Sequence, residues 1–242
     1  MTAEWRKQAN SKLAKAWKSP WTGDLVPAGT EVTLVSVIKL NKKKNIVVPV
    51  PNATAIFLNA SARSYNEAKK LRKNSNIDSS IKKQVQFESD SASFDYIERM
   101  IESVIMAFTA LEAFANEMIP DDFEYHVHKK SKTILEIYNK AKIERNISLD
   151  EKLSTILPEV FGIESPKGSN KAWENFKSLK KIRDRIIHMK SKDRKSSGPE
   201  EENIWHALMK LEAPYKLSKS IIEYYMKHSD TSNTWLSLCP LK

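Results

Sequence analysis

Residues 94–119 read FDYIERMIESVIMAFTALEAFANEMI, and their spacing decides the fold class. Phe94, Ile97, Ile101, Val104, Phe108, Leu111, Ala115 and Met118 recur every three or four residues. That is the period of a helix with one apolar face, not the alternation of a half-buried strand. Pro120 follows and ends the run, because its ring removes a backbone donor and clashes with the preceding turn.

Downstream the helical pattern persists. A second helix is expected near Ser131 to Glu144. Ser148-Leu149-Asp150-Glu151 forms a capping box that opens a short helix through Leu157, with Gly162 soon after it. A long helix is expected from Ser169 to about His188, then a loop from Lys190 to Pro199. A last helix near Glu200 to Lys227 contains Pro214, expected to kink it. Antiparallel helices joined by moderate loops make a helical bundle.

Upstream the pattern changes. Trp5, Ala9, Leu13 and Trp17 stand four apart, which predicts a short basic amphipathic helix over residues 1–18. Pro20, Gly23, Pro27 and Gly29 punctuate a loop. Val32 to Leu40 and Ile46 to Val50 are β-rich and flank a lysine-bearing turn at residues 41–45, so they read as a hairpin. Pro49 confines its strand to an edge. Ala55 to Leu58 reads as a third strand, and residues 62–90 as polar chain with a short helix near Asn66 to Arg72. The expected organisation is therefore an N-terminal region, 1–90, with a small β-hairpin element, and a mainly α bundle over 91–242.

Composition narrows the function. Forty Lys and Arg stand against 30 Asp and Glu, a formal charge of +10. Such a surplus attracts polyanions, nucleic acid first among them. Five glycines leave little material for a Gly-rich phosphate loop. The single cysteine, Cys239, rules out an intrachain disulfide and a thiol-based metal site. No apolar run of about 18 residues suggests a membrane span, and the first ten residues lack the apolar core of a signal peptide. A cytoplasmic location is expected.

The candidate chemistry lies where polar residues interrupt the apolar faces. On a projection of about 100° per residue, Trp173, Phe176, Leu179, Ile182, Ile186 and Ile187 share one broad face, with Arg183 in its middle. A charge there is costly unless paired. Glu112 lies among Phe94, Ile101, Ile105 and Phe108 on the earlier helix, with Asn116 one turn on, so a Glu112–Arg183 pair is expected. His188 is i+4 from Asp184 and i+3 from Arg185, and Asp184 is placed to hold its imidazole. A lone histidine near a helix C-terminus is otherwise commonly a surface residue favoured by the helix dipole.

The stretch Leu179-Lys-Lys-Ile-Arg183-Asp184-Arg185-Ile-Ile-His188 resembles the Arg-x4-His motif of the HEPN ribonucleases, a superfamily of small helical bundles. Asp184 stands where that family commonly has Asn, Asp or His. Phe108-Thr-Ala-Leu-Glu112-Ala-Phe-Ala-Asn116-Glu117 resembles the acidic first core helix of HEPN proteins of bacterial defence systems. The resemblance covers roughly residues 91–190 and the last helix; residues 1–90 match no pattern.

That resemblance implies a metal-independent endoribonuclease, without cofactor, that cleaves RNA by attack of the 2′-hydroxyl. His188 would act as base or acid, Arg183 would hold the phosphate, and Asp184 would complete the motif, with Glu112, Asn116 and Arg185 in support. It further implies a homodimer in which two motifs face one cleft, a toxin or antiviral-defence role, and a regulatory or antitoxin partner. Lys190, Lys192, Arg194 and Lys195, beside the motif, are candidate RNA contacts, as are Lys42 to Lys44 and Lys129 and Lys130. The alternatives are a non-catalytic nucleic-acid-binding module and a structural partner in a defence or toxin–antitoxin complex. His126 and His128 offer two imidazoles but no third metal ligand at a recognisable spacing.

Overall fold

The structure, a computed structural model, describes residues 4–8, 11–20, 22–128, 135–168, 170–228 and 234–241. The chain is mainly helical and divides into two compact units, one of residues 1–56 with 231–240 and one of residues 57–230 with 241–242.

The first unit is built from short antiparallel pairs. β1 (Ser11–Lys12) pairs with β4 (Glu31–Val32), and β2 (Trp17–Lys18) with β3 (Leu25–Val26). Of the amphipathic helix expected over residues 1–18, residues 1–3, 9 and 10 lie outside the described residues; the rest holds two strands, whose hydrogen bonds go to residues 25–32 instead of to the next turn. Trp5, 8% exposed, stacks on Trp235 of helix α9 (Thr234–Ser237), with ring centroids 6.3 Å apart. Gly23 and Gly29 both adopt positive φ in the turns that reverse the chain. The hairpin forms as read: β5 (Val35–Lys39) against β6 (Asn45–Pro49), with Ile38 opposite Ile46. Asn41 Oδ1 accepts from Lys43 N at 2.9 Å and Lys44 N at 3.0 Å, closing the tip.

Ala55 to Leu58 is not a strand. It lies in α1 (Ala53–Asn74), a 22-residue helix where only residues 66–72 were expected to be helical. Asn52 Oδ1 accepts from Ala55 N at 2.8 Å and caps its start. The buried stripe is Ala55, Leu58, Ser61, Ala62 and Ala68, mostly small residues. They let α1 approach α2 (Asp90–Met118) closely: Ser61 Oγ donates to Ser103 O at 2.8 Å and Ser103 Oγ to Ser61 O at 2.9 Å. Arg99 pairs with Glu67 at 3.1 Å, so the two helices run antiparallel.

α2 follows its sequence signal. Ser89 Oγ caps it through Ala92 N at 3.1 Å, and it ends at Met118 before Pro120. Val104, Phe108, Leu111 and Ala115 are buried, whereas Phe94 is 62% exposed.

Of the helix expected over residues 131–144, residues 131–134 lie outside the described residues, and over residues 135–144 the structure differs. β7 (Glu124–His128) and β8 (Leu135–Asn139) form a hairpin, and only Lys140–Asn146 is helical (α3), capped by Asn139. Of the expected capping box the N-cap half forms: Ser148 Oγ accepts from Glu151 N at 3.2 Å, while Glu151 Oε1 accepts from the Tyr125 hydroxyl at 2.9 Å. From it runs α4 (Leu149–Glu151), a π-helical turn (Lys152–Ile156) and α5 (Leu157–Phe161), closed by Gly162 at φ 63°. The widened turn leaves Leu153 O to accept a hydrogen bond from the Tyr225 hydroxyl.

α6 (Lys171–Ile187), α7 (Ile204–Lys210) and α8 (Pro214–Met226) complete the second unit. The final helix is broken at Pro214 instead of kinked, with Ala213 at φ 39° before it. α2, α6 and α8 pack on one another, Ser218 Oγ donating to Ala107 O at 2.7 Å and Phe114 meeting Tyr225 at 6.1 Å. Both pairs are 111 residues apart, so α2 and α8 run parallel. Among the described residues no helix is long and apolar enough to cross a membrane.

Candidate functional site

α6 carries the motif. Asn170 Oδ1 caps it through Ala172 N at 2.8 Å. Ala172, Trp173, Phe176 and Leu179 are buried, fixing its first three turns against the core; Phe176 stacks on Phe108 at 6.4 Å. Burial fades toward the C-terminus, where Ile182, Arg183 and Ile186 are partly exposed and Ile187 is 51% exposed.

Arg183 turns onto α2, but not to Glu112. Its Cζ lies 4.3 Å from the centroid of the Phe108 ring, and Nη1 donates to Asp184 Oδ1 at 2.8 Å. The ring face and the neighbouring carboxylate together hold the guanidinium, with its side chain 31% exposed. Partial burial pushes the Asp184 carboxyl upward, but Arg183 and Lys180 outweigh it and hold its pKa below the ordinary value. Lys180 reaches Asp184 at 3.4 Å and Asp150 at 3.2 Å, and Lys177 reaches Asp150 at 2.5 Å.

Glu112 and Asn116 serve a different cation. Lys152, 2% exposed, donates through Nζ to Asn116 Oδ1 at 2.9 Å and to Glu144 O at 3.1 Å, with Glu112 Oε2 at 3.7 Å. The expected Glu112–Arg183 pair is thus replaced by a Glu112–Lys152 pair. Lys152 obeys the same test that singles out Arg183, for it falls on the apolar stripe of Leu149, Leu153 and Ile156.

His188 is the C-cap of α6, its backbone N–H donating to Asp184 O at 2.9 Å. Its side chain is exposed, and among the described residues the imidazole has no hydrogen-bond partner; Asp184 is engaged by Arg183 and Lys180 instead. Five positions from Arg183, it lies about 140° round the helix axis. It is nearer the stripe of Lys181 and Arg185.

Arg185 is tied to Asp193, a residue the sequence reading did not single out. Arg185 Nη2 donates to Asp193 Oδ1 at 2.6 Å and Nε to Oδ2 at 3.3 Å. Asp193 also accepts from Lys190 N at 3.0 Å and Ile204 N at 2.9 Å, and its side chain is fully buried. Hydrogen bonding from Arg185 above all, against the opposing effect of burial and aided by the backbone donors, holds its carboxyl well below the usual range. Trp205 Nε1 donates to Asp193 O at 2.8 Å. Asp193 therefore anchors the stretch 190–204, part of which is a 3₁₀ turn (Ser191–Arg194), to α6. From that anchored stretch Lys190, Lys192, Arg194 and Lys195 are exposed, with no ion pair among the described residues.

Lys129 and Lys130 lie outside the described residues, as does the His128 side chain. Among the described residues no group of three or more His, Cys, Asp or Glu side chains is arranged to hold a metal ion.

No family model, no curated protein and no solved structure matches the chain.

Proposed function

We propose that the chain is a metal-independent endoribonuclease in which His188 and Arg183 act on RNA. The observation that carries this reading is the end of α6: an exposed imidazole without a partner among the described residues, one and a half turns from a fixed guanidinium. His188 takes the proton of a ribose 2′-hydroxyl, whose oxygen attacks the adjacent phosphorus. The P–O5′ bond breaks, leaving a 2′,3′-cyclic phosphate, and the departing 5′-oxygen takes a proton from a second imidazole. That imidazole is His188 of a second copy, which makes the working form a homodimer. Arg183 stabilises the charge on the non-bridging oxygens; Nη1 is spent on Asp184, while Nε and Nη2 have no partner among the described residues. The toxin or defence role and a regulatory partner rest on the resemblance of the motif alone.

The test is labelled RNA in excess chelator. Wild type cleaves and leaves cyclic-phosphate ends, all-DNA strands stay intact, and His188→Ala and Arg183→Ala each lose about 100-fold or more. Activity that survives both substitutions, or that requires a metal, refutes the mechanism. One observation favours a second reading, a non-catalytic RNA-binding module: Arg183 and His188 diverge around the helix within one chain. Binding without turnover, unchanged by His188→Ala, selects it.

A further inference from the structure

Three clefts in the second unit share their walls. The first, about 350 Å³, lies between α6 and α7 and is lined by Lys181, Arg185 and Lys210. The second, about 430 Å³, shares Lys210 and Leu211 with it and extends to Tyr65, Lys69 and Arg72 of α1. The third, about 600 Å³, shares Lys69, Arg72 and Asp78 with the second and adds Lys73. The clefts therefore form one path across α7, from α6 to the last turns of α1.

Cations dominate that path and most are unspent. Lys69, Lys181 and Lys210 are exposed and form no ion pair among the described residues. Arg72 is held by Asp78 at 2.5 Å and donates to Met209 O at 2.9 Å, which braces the path from below. Asp193 holds Arg185 Nε and Nη2, while Nη1 has no hydrogen-bond partner among the described residues. The carboxylates on the walls are Glu202, Glu212 and Asp78. Tyr65, partly exposed, offers a ring face beside Lys69, whose Nζ is 5.9 Å from its centroid.

Clefts of this size accept a base or a phosphate, not a duplex, and lysines interleaved with a tyrosine suit a single strand. The α6 stripe that walls the first cleft, Ser178, Lys181, Ile182 and Arg185, leads by a further three residues to His188. We propose that this path is the track on which single-stranded RNA lies, delivering one end of the strand to His188. The proposal rests on the ribonuclease reading for its substrate, but it concerns binding and is tested apart from cleavage.

A short single-stranded 2′-O-methyl RNA cannot be cut by 2′-hydroxyl attack, so its binding is measured by fluorescence anisotropy across a salt series. The triple variant Lys69→Ala, Lys181→Ala, Lys210→Ala is compared with Lys12→Ala, Lys15→Ala, Lys18→Ala, which removes equal charge from exposed positions of the first unit. The track triple is expected to lower the slope of log affinity on log salt by about 2, at roughly 0.7 per lost phosphate contact, and to weaken binding on the order of tenfold at low salt. The control triple is expected to change neither, and both should melt as wild type does. Equal losses in the two triples, an unchanged track triple, no binding by wild type, or equal competition by an acidic peptide of matched charge overturns the track. Binding that follows the track in a protein that never cleaves RNA leaves the track standing and removes the ribonuclease reading. Cleavage by wild type with an unchanged track triple does the reverse.

Discussion

Lys152 offers the sharpest test of how the helices around α6 are held. Its ammonium is buried with two hydrogen bonds, to Asn116 Oδ1 and Glu144 O, and with a carboxylate at 3.7 Å that is itself 38% exposed. Lys152→Met keeps a side chain of nearly the same length and removes the charge. Glu112 then returns to water at little cost, so the penalty is two acceptors left without their donor, offset by the desolvation that the ammonium no longer pays. Because those acceptors are only part-buried, the net loss is about 1–2 kcal/mol. Lys152→Ala also removes three methylenes, at about 0.8 kcal/mol each, and opens a cavity, so it should cost about 3–5 kcal/mol. At about 2–4 °C per kcal/mol for a chain of this size, the two variants should melt roughly 2–8 and 6–20 °C below wild type. Far-UV circular dichroism is the right probe, because the helices lie mainly in the second unit. Double-mutant cycles complete the assay: Glu112→Ala should couple to Lys152→Met by up to about 1 kcal/mol and to Arg183→Ala by about zero. A stable Lys152→Met protein, or a strong Glu112–Arg183 coupling, would refute this account of the buried polar cluster.

Three further outcomes follow from single contacts. Tyr225→Phe removes the donor to Leu153 O in the π turn and should cost about 1–2 kcal/mol in urea unfolding without moving RNA binding. Gly162→Ala forces a Cβ into the left-handed region at φ 63°, where nothing else crowds it, so only backbone strain of about 1 kcal/mol is expected by the same measurement. The folded Asp193 carboxyl has a depressed pKa, so its contribution is complete above the unfolded value of about 3.9 and is lost as pH falls below that toward the folded value. NMR signals of the Ile204 amide and Trp205 indole should therefore hold steady from neutral pH to about 4 and shift only below it, and Asp193→Asn should show loosened exchange at those two sites already at neutral pH.

What the sequence reveals and conceals follows from the size of the residues that do the packing. α2 and α6 are legible because large apolar side chains repeat on one face. α1 is not, because its inward stripe is alanine and serine, which a search for bulky residues passes over; its capping Asn52 is the signal that was there to read. The strands of residues 11–32 are hidden for another reason. Trp5, Leu13 and Trp17 imitate a helical stripe, yet the pairing of Ser11 with Val32 and of Trp17 with Val26 decides the matter at a distance. In β8 burial alternates, but Leu135 and Ile137 take its exposed positions, so apolar placement marks no inward strand face and the run into α3 reads as one helix.

The motif itself was legible as a place and less so as an arrangement. Projection finds Arg183 on the core face, but it cannot say which partner meets it, and a ring face with the adjacent carboxylate answers the need that Glu112 was expected to fill. The same projection sets His188 beside Arg185 and Lys181, away from Arg183. Within one chain, then, His188 follows the α6 stripe that walls the cleft toward α7, and the guanidinium, with two nitrogens unpartnered among the described residues, lies against Phe108 of α2. A phosphate held by Arg183 and attacked under the influence of His188 is most readily assembled when the two come from different copies. The divergence that weakens a one-chain site is thus the geometric reason for expecting two chains at one phosphate, and it makes mixed dimers the informative species: one copy lacking only His188, paired with one lacking only Arg183, keeps one His188–Arg183 combination across the interface but lacks the second imidazole, so it should bind RNA and cleave it far below the wild-type rate.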